Sequence, residues 1–200
     1  STGQVVLDRL SRLAVGEGVA FAQMVVFPVF DGTKNGEEVL DYCTLGEGIA
    51  GGWVEVTERA SASVPDLVLR NRGTQMVLVM DGEEIVGGKQ NRIVNASFLV
   101  APGTEVILPV SCVEHGRWDS APSQFAAGDA TYFSLRREKA VQVRASLRAS
   151  GRPVADQGAI WEHIAAKQDE MRVASPTAAM HDIYEARRTD LGAYEQAFPY

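Results

Sequence analysis

The sequence predicts an α+β fold: an antiparallel β-sandwich-like body, with a jelly roll as the variant, and C-terminal helices packed on it. Three features carry this expectation. Between Trp53 and Val113, five short apolar and β-branched runs follow one another with turn residues at close spacing. Beyond Trp118 the register of apolar residues changes. Two helix starts then follow, at Asp156 and at Ser175-Pro176. At 200 residues the chain fits a single domain, β-rich over 19–118 and mainly helical over 135–200, long enough to bury a continuous core.

In chain order, Val6, Leu10 and Leu13 at helical spacing predict a short amphipathic helix over Val5–Leu13, ended by Gly16 and Gly18. Phe21–Phe30 reads as a strand placed at an edge or bend by Pro28, with Asp31-Gly32 as a turn. Thr44 and Glu47 form a capping box for a helix to Ala50. Trp53–Val56 and Leu67–Leu69 alternate as half-buried strands do, and the wholly apolar Met76–Met80 predicts a strand buried on both faces. Asp81-Gly82 turns the chain, and Ala96–Val100 and Val106–Val110 are strands joined by Ala101-Pro102-Gly103. Asp119–Asp129 reads as a loop. Arg136–Ser150 fits either period, and Gly151 and Pro153 after its arginine-rich end favour a helix. Asp156 caps a helix to about Met171, and Ser175-Pro176 starts a last one over Thr177–Ala197, with Met180, Ile183, Tyr184, Leu191 and Tyr194 inward.

The composition, 46% apolar and 22% charged, is that of a globular protein. No apolar run reaches the roughly 18–20 residues of a membrane span, and no basic segment leads into an apolar one as in a signal peptide. Cys43 and Cys112 lie far apart without metal spacing, so a reducing, cytoplasmic setting is expected. A net charge of −7 argues against nucleic acid as a partner. One stretch departs from that balance: Arg136, Arg137, Lys139, Arg144, Arg148 and Arg152 face only Glu138. It reads as a solvated face or as a surface for an acidic partner.

Polar chemistry concentrates in two places. Asp81–Arg92 carries three acids, two cations, two amides and three glycines in twelve residues, directly after a buried strand. It reads as a plain hairpin connection or as a binding loop. Gly82, Gly87, Gly88 and Lys89 nearly spell a P-loop, but Gln90 stands where a hydroxyl is required and Glu83 and Glu84 would put negative charge into the cradle. The second cluster, Pro109–Trp118, ends a strand. Extended geometry puts Cys112 and Glu114 on one face and Ser111, Val113 and His115 on the other. A nucleophilic Cys112 would therefore need His163 or His181, and a buried structural thiol is the competing reading. Glu114 and Arg117 are open to two readings, an ion pair at the strand end or a ligand-binding pair. Glu83, Glu84 and Glu114 are candidates for shared acid–base work. No HxH, HExxH or CxxC pattern points to a metal.

The run Leu78–Trp118, with its DGEE, GGKQNR, PVSCVE and GRW pieces, resembles a bacterial family without an assigned reaction, named for its association with ADP-ribosylglycohydrolases and rhodanese-phosphatases. Asp156-Gln157, Trp161, Lys167, Ser175-Pro176-Thr177, Tyr184 and Arg187 extend the likeness over most of the chain from about Phe27. Members look longer at the C-terminus, so truncation at Tyr200 is expected. The resemblance implies a role near NAD or ADP-ribose metabolism. It also implies site positions: Glu83, Glu84, Cys112 and Glu114 as catalytic candidates, with Lys89, Gln90, Asn91, Arg92, Arg117 and Trp118 as ligand-binding ones. An anionic small molecule is the expected ligand, the cofactor being unknown. A protein-interaction module using 136–152, with a protein partner or a second copy, is the alternative.

Overall fold

The computed structural model describes residues 2–32, 40–59, 65–117 and 125–199. The chain divides into two compact units, Ser1–Leu40 with Arg187–Tyr200, and Asp41–Ala186. In the smaller unit α1 (Thr2–Leu10) precedes four three-residue strands, β1 (Leu13–Val15), β2 (Val19–Phe21), β3 (Met24–Val26) and β4 (Val29–Asp31). β2 pairs with β3 and β1 with β4, each antiparallel. The expected continuous strand Phe21–Phe30 is thus three short pieces. Ala22, at φ +49°, turns the chain between β2 and β3, and Pro28 lies between β3 and β4.

The larger unit is an α+β body built in three layers. Its strands are β5 (Tyr42–Thr44), β6 (Val54–Glu58), β7 (Asp66–Asn71), β8 (Met76–Val79), β9 (Glu83–Val86), β10 (Arg92–Val94), β11 (Phe98–Val100), β12 (Glu105–Cys112) and β13 (Ala126–Ala130). Six form an antiparallel sheet in the order β13-β9-β10-β12-β7-β6, and three form the sheet β11-β8-β5, in which β5 runs parallel to β8. One core cluster draws Cys43, Val77, Val79 and Val100 from the small sheet and Val56, Leu67, Leu69, Ile85, Val94, Leu108 and Val110 from the large one. The two sheets therefore face each other as a sandwich. Strand alternation sends Ile93 and Val113 to the other face of the large sheet, where they pack with Leu135, Ile160, Ile164 and Met180. These last belong to the helical layer, α3 (Phe133–Ser150), α4 (Gln157–Met171) and the segment leading into α5 (His181–Ala186).

Local signals place the helices. In α2 (Leu45–Ala50) the Thr44 hydroxyl accepts the Glu47 N–H at 3.3 Å and the Glu47 carboxylate accepts the Thr44 N–H at 2.8 Å, the capping box read in the sequence. Asp156 accepts the N–H groups of Gly158 and Ala159 at the start of α4. Gly151, at φ +70°, ends α3. The expected single helix over Thr177–Ala197 is instead α5 and α6 (Arg188–Ala197). Residues 177–180 are drawn out of it by backbone bonds to the end of β12. Gly116 N–H donates to the Thr177 carbonyl and Met180 N–H to the Val113 carbonyl, both at 2.8 Å. Asp119–Asp129, expected to be a loop, contains part of β13; 119–124 lie outside the described residues. No described helix is long and apolar enough to cross a membrane.

Candidate functional site

Glu83–Val86 and Arg92–Val94 pair in register, Ile85 opposite Arg92 and Glu84 opposite Ile93. The segment read as a plain hairpin connection or a binding loop is therefore mostly a β-hairpin, with residues 87–91 as its unpaired turn. Gly88 in that turn has φ +58°, and a Cβ there would stand 2.6 Å from the Phe125 ring and 2.8 Å from Glu58 Oε1. Asn91 Oδ1 accepts the Gly87 N–H at 3.1 Å and ties the turn to itself.

This turn meets the end of β12 around Glu114, a buried carboxylate with every lone-pair direction in use. Its Oε2 accepts the Asn91 N–H at 3.0 Å and Arg117 Nη2 at 2.7 Å; its Oε1 accepts Arg117 Nε and the Thr177 hydroxyl, each at 2.9 Å. The two-toothed guanidinium grip is the geometry that favours arginine over lysine. Arg117 also donates to the Gly88 carbonyl at 2.7 Å and to Asn91 Oδ1 at 2.9 Å, so one side chain spans both segments. Burial pushes the Glu114 carboxyl up, but hydrogen bonds from Arg117, the Asn91 N–H and Thr177 outweigh it, and the net shift is down. Glu114 and Arg117 form an ion pair at the strand end, at 2.7 Å.

Alongside lies a second knot. Gln90 Nε2 donates to the Glu114 carbonyl at 2.9 Å, while its Oε1 accepts the Cys112 thiol at 3.1 Å. Gln157, from the first turn of α4, reads the Cys112 backbone with both amide atoms, at 2.9 and 2.7 Å. Arg92, 4% exposed, donates to the Gln90 carbonyl at 3.1 Å and stands 3.5 Å from Glu58 Oε1. Burial raises the Cys112 pKa beyond what nearby Arg92 offsets, so the thiol stays protonated. His181 and His163, the bases a nucleophilic Cys112 would need, bond instead to Glu84 and Tyr132. Lys89 sends its backbone N–H to Glu58 at 3.0 Å and leaves its side chain exposed. Trp118 lies outside the described residues.

Glu83 and Glu84 go elsewhere. Glu83 closes the preceding turn by accepting the Met80 N–H at 2.8 Å. Glu84, wholly buried, lies on the helical face of the large sheet by strand alternation, with His181 Nδ1 at 3.3 Å from its Oε2. Both carboxyls are pushed up, first by burial. β13 comes close to Glu84 because Gly128 lacks a side chain. A Cβ there would lie 2.6 Å from Glu84 Oε2 and 2.8 Å from Val86 Cγ2. Gly128→Ala is expected to lower stability by about 1–3 kcal/mol through overpacking, read as a lower urea midpoint.

The basic stretch also divides. Lys139, fully buried, bonds to Asp81 and to the Val94 carbonyl at 2.8 Å, and Arg136 lies 3.8 Å from the same Asp81. Arg137, Arg144, Arg148 and Arg152 are exposed, and none has an acidic partner among the described residues. Residue-by-residue reading missed Glu58, Lys139, Gln157, Thr177 and His181 as members of these networks. Gln157 and Thr177 stood only inside the resembling motifs, Lys139 only in the basic stretch and His181 only as a base for Cys112; Glu58 had no local signal. Among the described residues no group of three or more His, Cys, Asp or Glu is arranged to hold a metal ion.

Comparison with curated proteins and with solved structures gives no match. The family model described as ARPP-1, the ARG and Rhodanese-Phosphatase-superfamily-associated Protein domain, matches residues 12–200, and the chain belongs to that family.

Proposed function

We propose that the larger unit binds an ADP-ribose- or NAD-like nucleotide at the rim where residues 87–91 meet 112–117. The observation that carries this reading is the convergence of both segments on the Glu114–Arg117 pair, through bonds of 2.7–3.0 Å between residues 23 to 29 positions apart in sequence. Arg92 and Arg117 are balanced by Glu58 and Glu114 and serve to hold the rim rigid. The charge left for a phosphate is Lys89, whose ammonium has no partner among the described residues. His115, exposed beside Arg117, lies with its ring 4.3 Å from that of Trp161 and offers an aromatic edge to a base. The family's association with ADP-ribosylglycohydrolases supplies the ligand class.

Calorimetric titration with ADP-ribose, NAD and AMP tests this. Lys89→Ala is expected to weaken binding roughly tenfold or more, the scale of one charge-assisted hydrogen bond, without changing the unfolding midpoint. No heat and no thermal shift with any of the three at millimolar concentration would sink it.

A second reading has its own observation. Arg137, Arg144 and Arg148 share one exposed side of α3 with Phe133 and Val141, which are 79% and 65% exposed. Three arginines without acidic partners among the described residues, on an otherwise acidic chain, suit an acidic protein partner. Reversing Arg144 and Arg148 to Glu is expected to abolish pull-down of that partner while leaving the circular dichroism spectrum intact; unchanged capture removes this reading.

A further inference from the structure

Glu84 is buried on a strand interior, where an ionised carboxylate is costly unless every oxygen is bonded. One oxygen is: Oε2 faces His181 Nδ1 at 3.3 Å. The other, Oε1, is closed to bulk solvent and has no hydrogen-bond partner. His181, at the start of α5, reaches the surface, its side chain 30% exposed and its Nε2 3.5 Å from Glu185 Oε1. The line from Oε1 through Oε2 and the imidazole therefore links a sealed, unpartnered acceptor to solvent. The edge strand approaches the same carboxylate at Gly128, where a Cβ would stand 2.6 Å from Oε2.

We propose that Glu84 and His181 form a proton-exchanging pair, in which Glu84 takes a proton at Oε1 from an ordered water or a ligand hydroxyl and His181 is the positioning residue that passes one out to solvent. In the starting state the carboxylate is ionised and the ring doubly protonated. The donor's O–H bond breaks, its electron pair stays on that oxygen, and an H–Oε1 bond forms. The His181 Nε2–H bond then breaks toward Glu185 or water, while Nδ1–H continues to donate to Oε2. One proton has entered, one has left, and the net charge of the pair is unchanged. Because Oε1 is shut off from bulk solvent, its donor is a single placed molecule rather than free water. A base set in this way is the requirement for activating a hydroxyl near neutral pH.

The groups facing the pair are consistent with it. On α5 they are His181, Tyr184 and Glu185; on β13, Asp129; and beyond β12, Glu114. Burial, with the Asp129 and Glu114 charges, pushes the Glu84 carboxyl up despite the ring. The bond to Glu84 pushes the His181 ring up despite burial, with the charges of Glu84, Glu185 and Asp129 adding. Tyr184 is pushed up to about 12, mainly by burial, and stays a neutral phenol that donates to the Ala130 carbonyl.

The test is an NMR pH titration of the three histidine rings and the Glu side-chain carboxyls in the whole chain without ligand, so its outcome is separate from that of nucleotide binding. His181→Asn assigns the His181 signal. The expected result is a His181 midpoint above 6.5 in the native protein that falls in Glu84→Gln, and a Glu84 midpoint above 4.5 that rises further in His181→Asn. A native His181 midpoint at or below 6.5, or one unmoved by Glu84→Gln, overturns the proposal. If Glu84→Gln fails to fold, the native His181 midpoint together with the Glu84 shift in His181→Asn decides.

Discussion

Replacing Glu114 by alanine is expected to destabilise the larger unit by about 3–5 kcal/mol, the cost of breaking a buried ion pair from one side. Four donors lose their acceptor at once: the Asn91 N–H, two nitrogens of Arg117 and the Thr177 hydroxyl. Arg117, whose side chain is only 21% exposed, is left without its carboxylate. A urea unfolding series followed by tryptophan fluorescence checks the size; a loss under about 1 kcal/mol, the scale of a surface pair, would mean that the knot does not hold the rim. The same residue gives a pH signature. The folded carboxyl titrates below its ordinary 4.5, so its contribution is complete above that value and is lost as pH falls through the folded midpoint. Native protein should therefore lose stability more steeply below pH 4.5 than Glu114→Gln does.

Asp81→Ala is expected to cost a similar amount, about 3–5 kcal/mol, because it leaves the ammonium of Lys139 fully buried with only the Val94 carbonyl to face. Combining it with Lys139→Met should recover most of the loss, since an apolar side chain of similar length needs no counter-charge. Urea midpoints of the single and double variants form the check, and a double variant no more stable than Asp81→Ala would refute the account. The pH effect has the same sign as that of Glu114, stability rising with pH, because both groups titrate lower in the folded protein than in the unfolded one; it differs in lying in the alkaline range and in relieving a cost rather than adding a gain. Burial holds the Lys139 pKa below 10.5 despite Asp81. The strain of burying its charge is thus present throughout the neutral range and fades as pH climbs through the folded midpoint toward 10.5. Lys139→Met should flatten that alkaline dependence.

What could be read in the sequence was local. Thr44 with Glu47, Asp156 and Gly151 each marked a helix end through bonds made within four residues, and each marks one in the structure. Alternation likewise placed β6 and β7, and apolar runs bounded by turn residues placed β8, β11 and β12. The strands missed lack such a pattern. β9 and β10 carry Glu83, Glu84 and Arg92, and β13 is Ala-Ala-Gly-Asp-Ala, residue types depleted in strands. They form because partners distant in sequence neutralise the charges: Glu58 for Arg92, 34 positions earlier, and His181 for Glu84, 97 positions later. The helix expected over Thr177–Ala197 failed for the same reason. Its first residues gain more by pairing their backbone with the end of β12 than by continuing a helix, a competition that spans 63 positions from Glu114 to Thr177.

By itself the sequence determined the class of the fold, the family, and the two segments in which polar side chains gather, since each follows from residue types and short-range periodicity. The tertiary structure alone decided how those side chains are spent. It closed Glu114, Arg117, Arg92 and Lys139 into pairs, turned Glu84 toward the helical layer, and left Lys89, Arg137, Arg144 and Arg148 facing solvent. The physical reason is that a charge is a site or a brace according to whether an opposite charge meets it in the fold, and that meeting depends on strand register and helix placement rather than on neighbours along the chain.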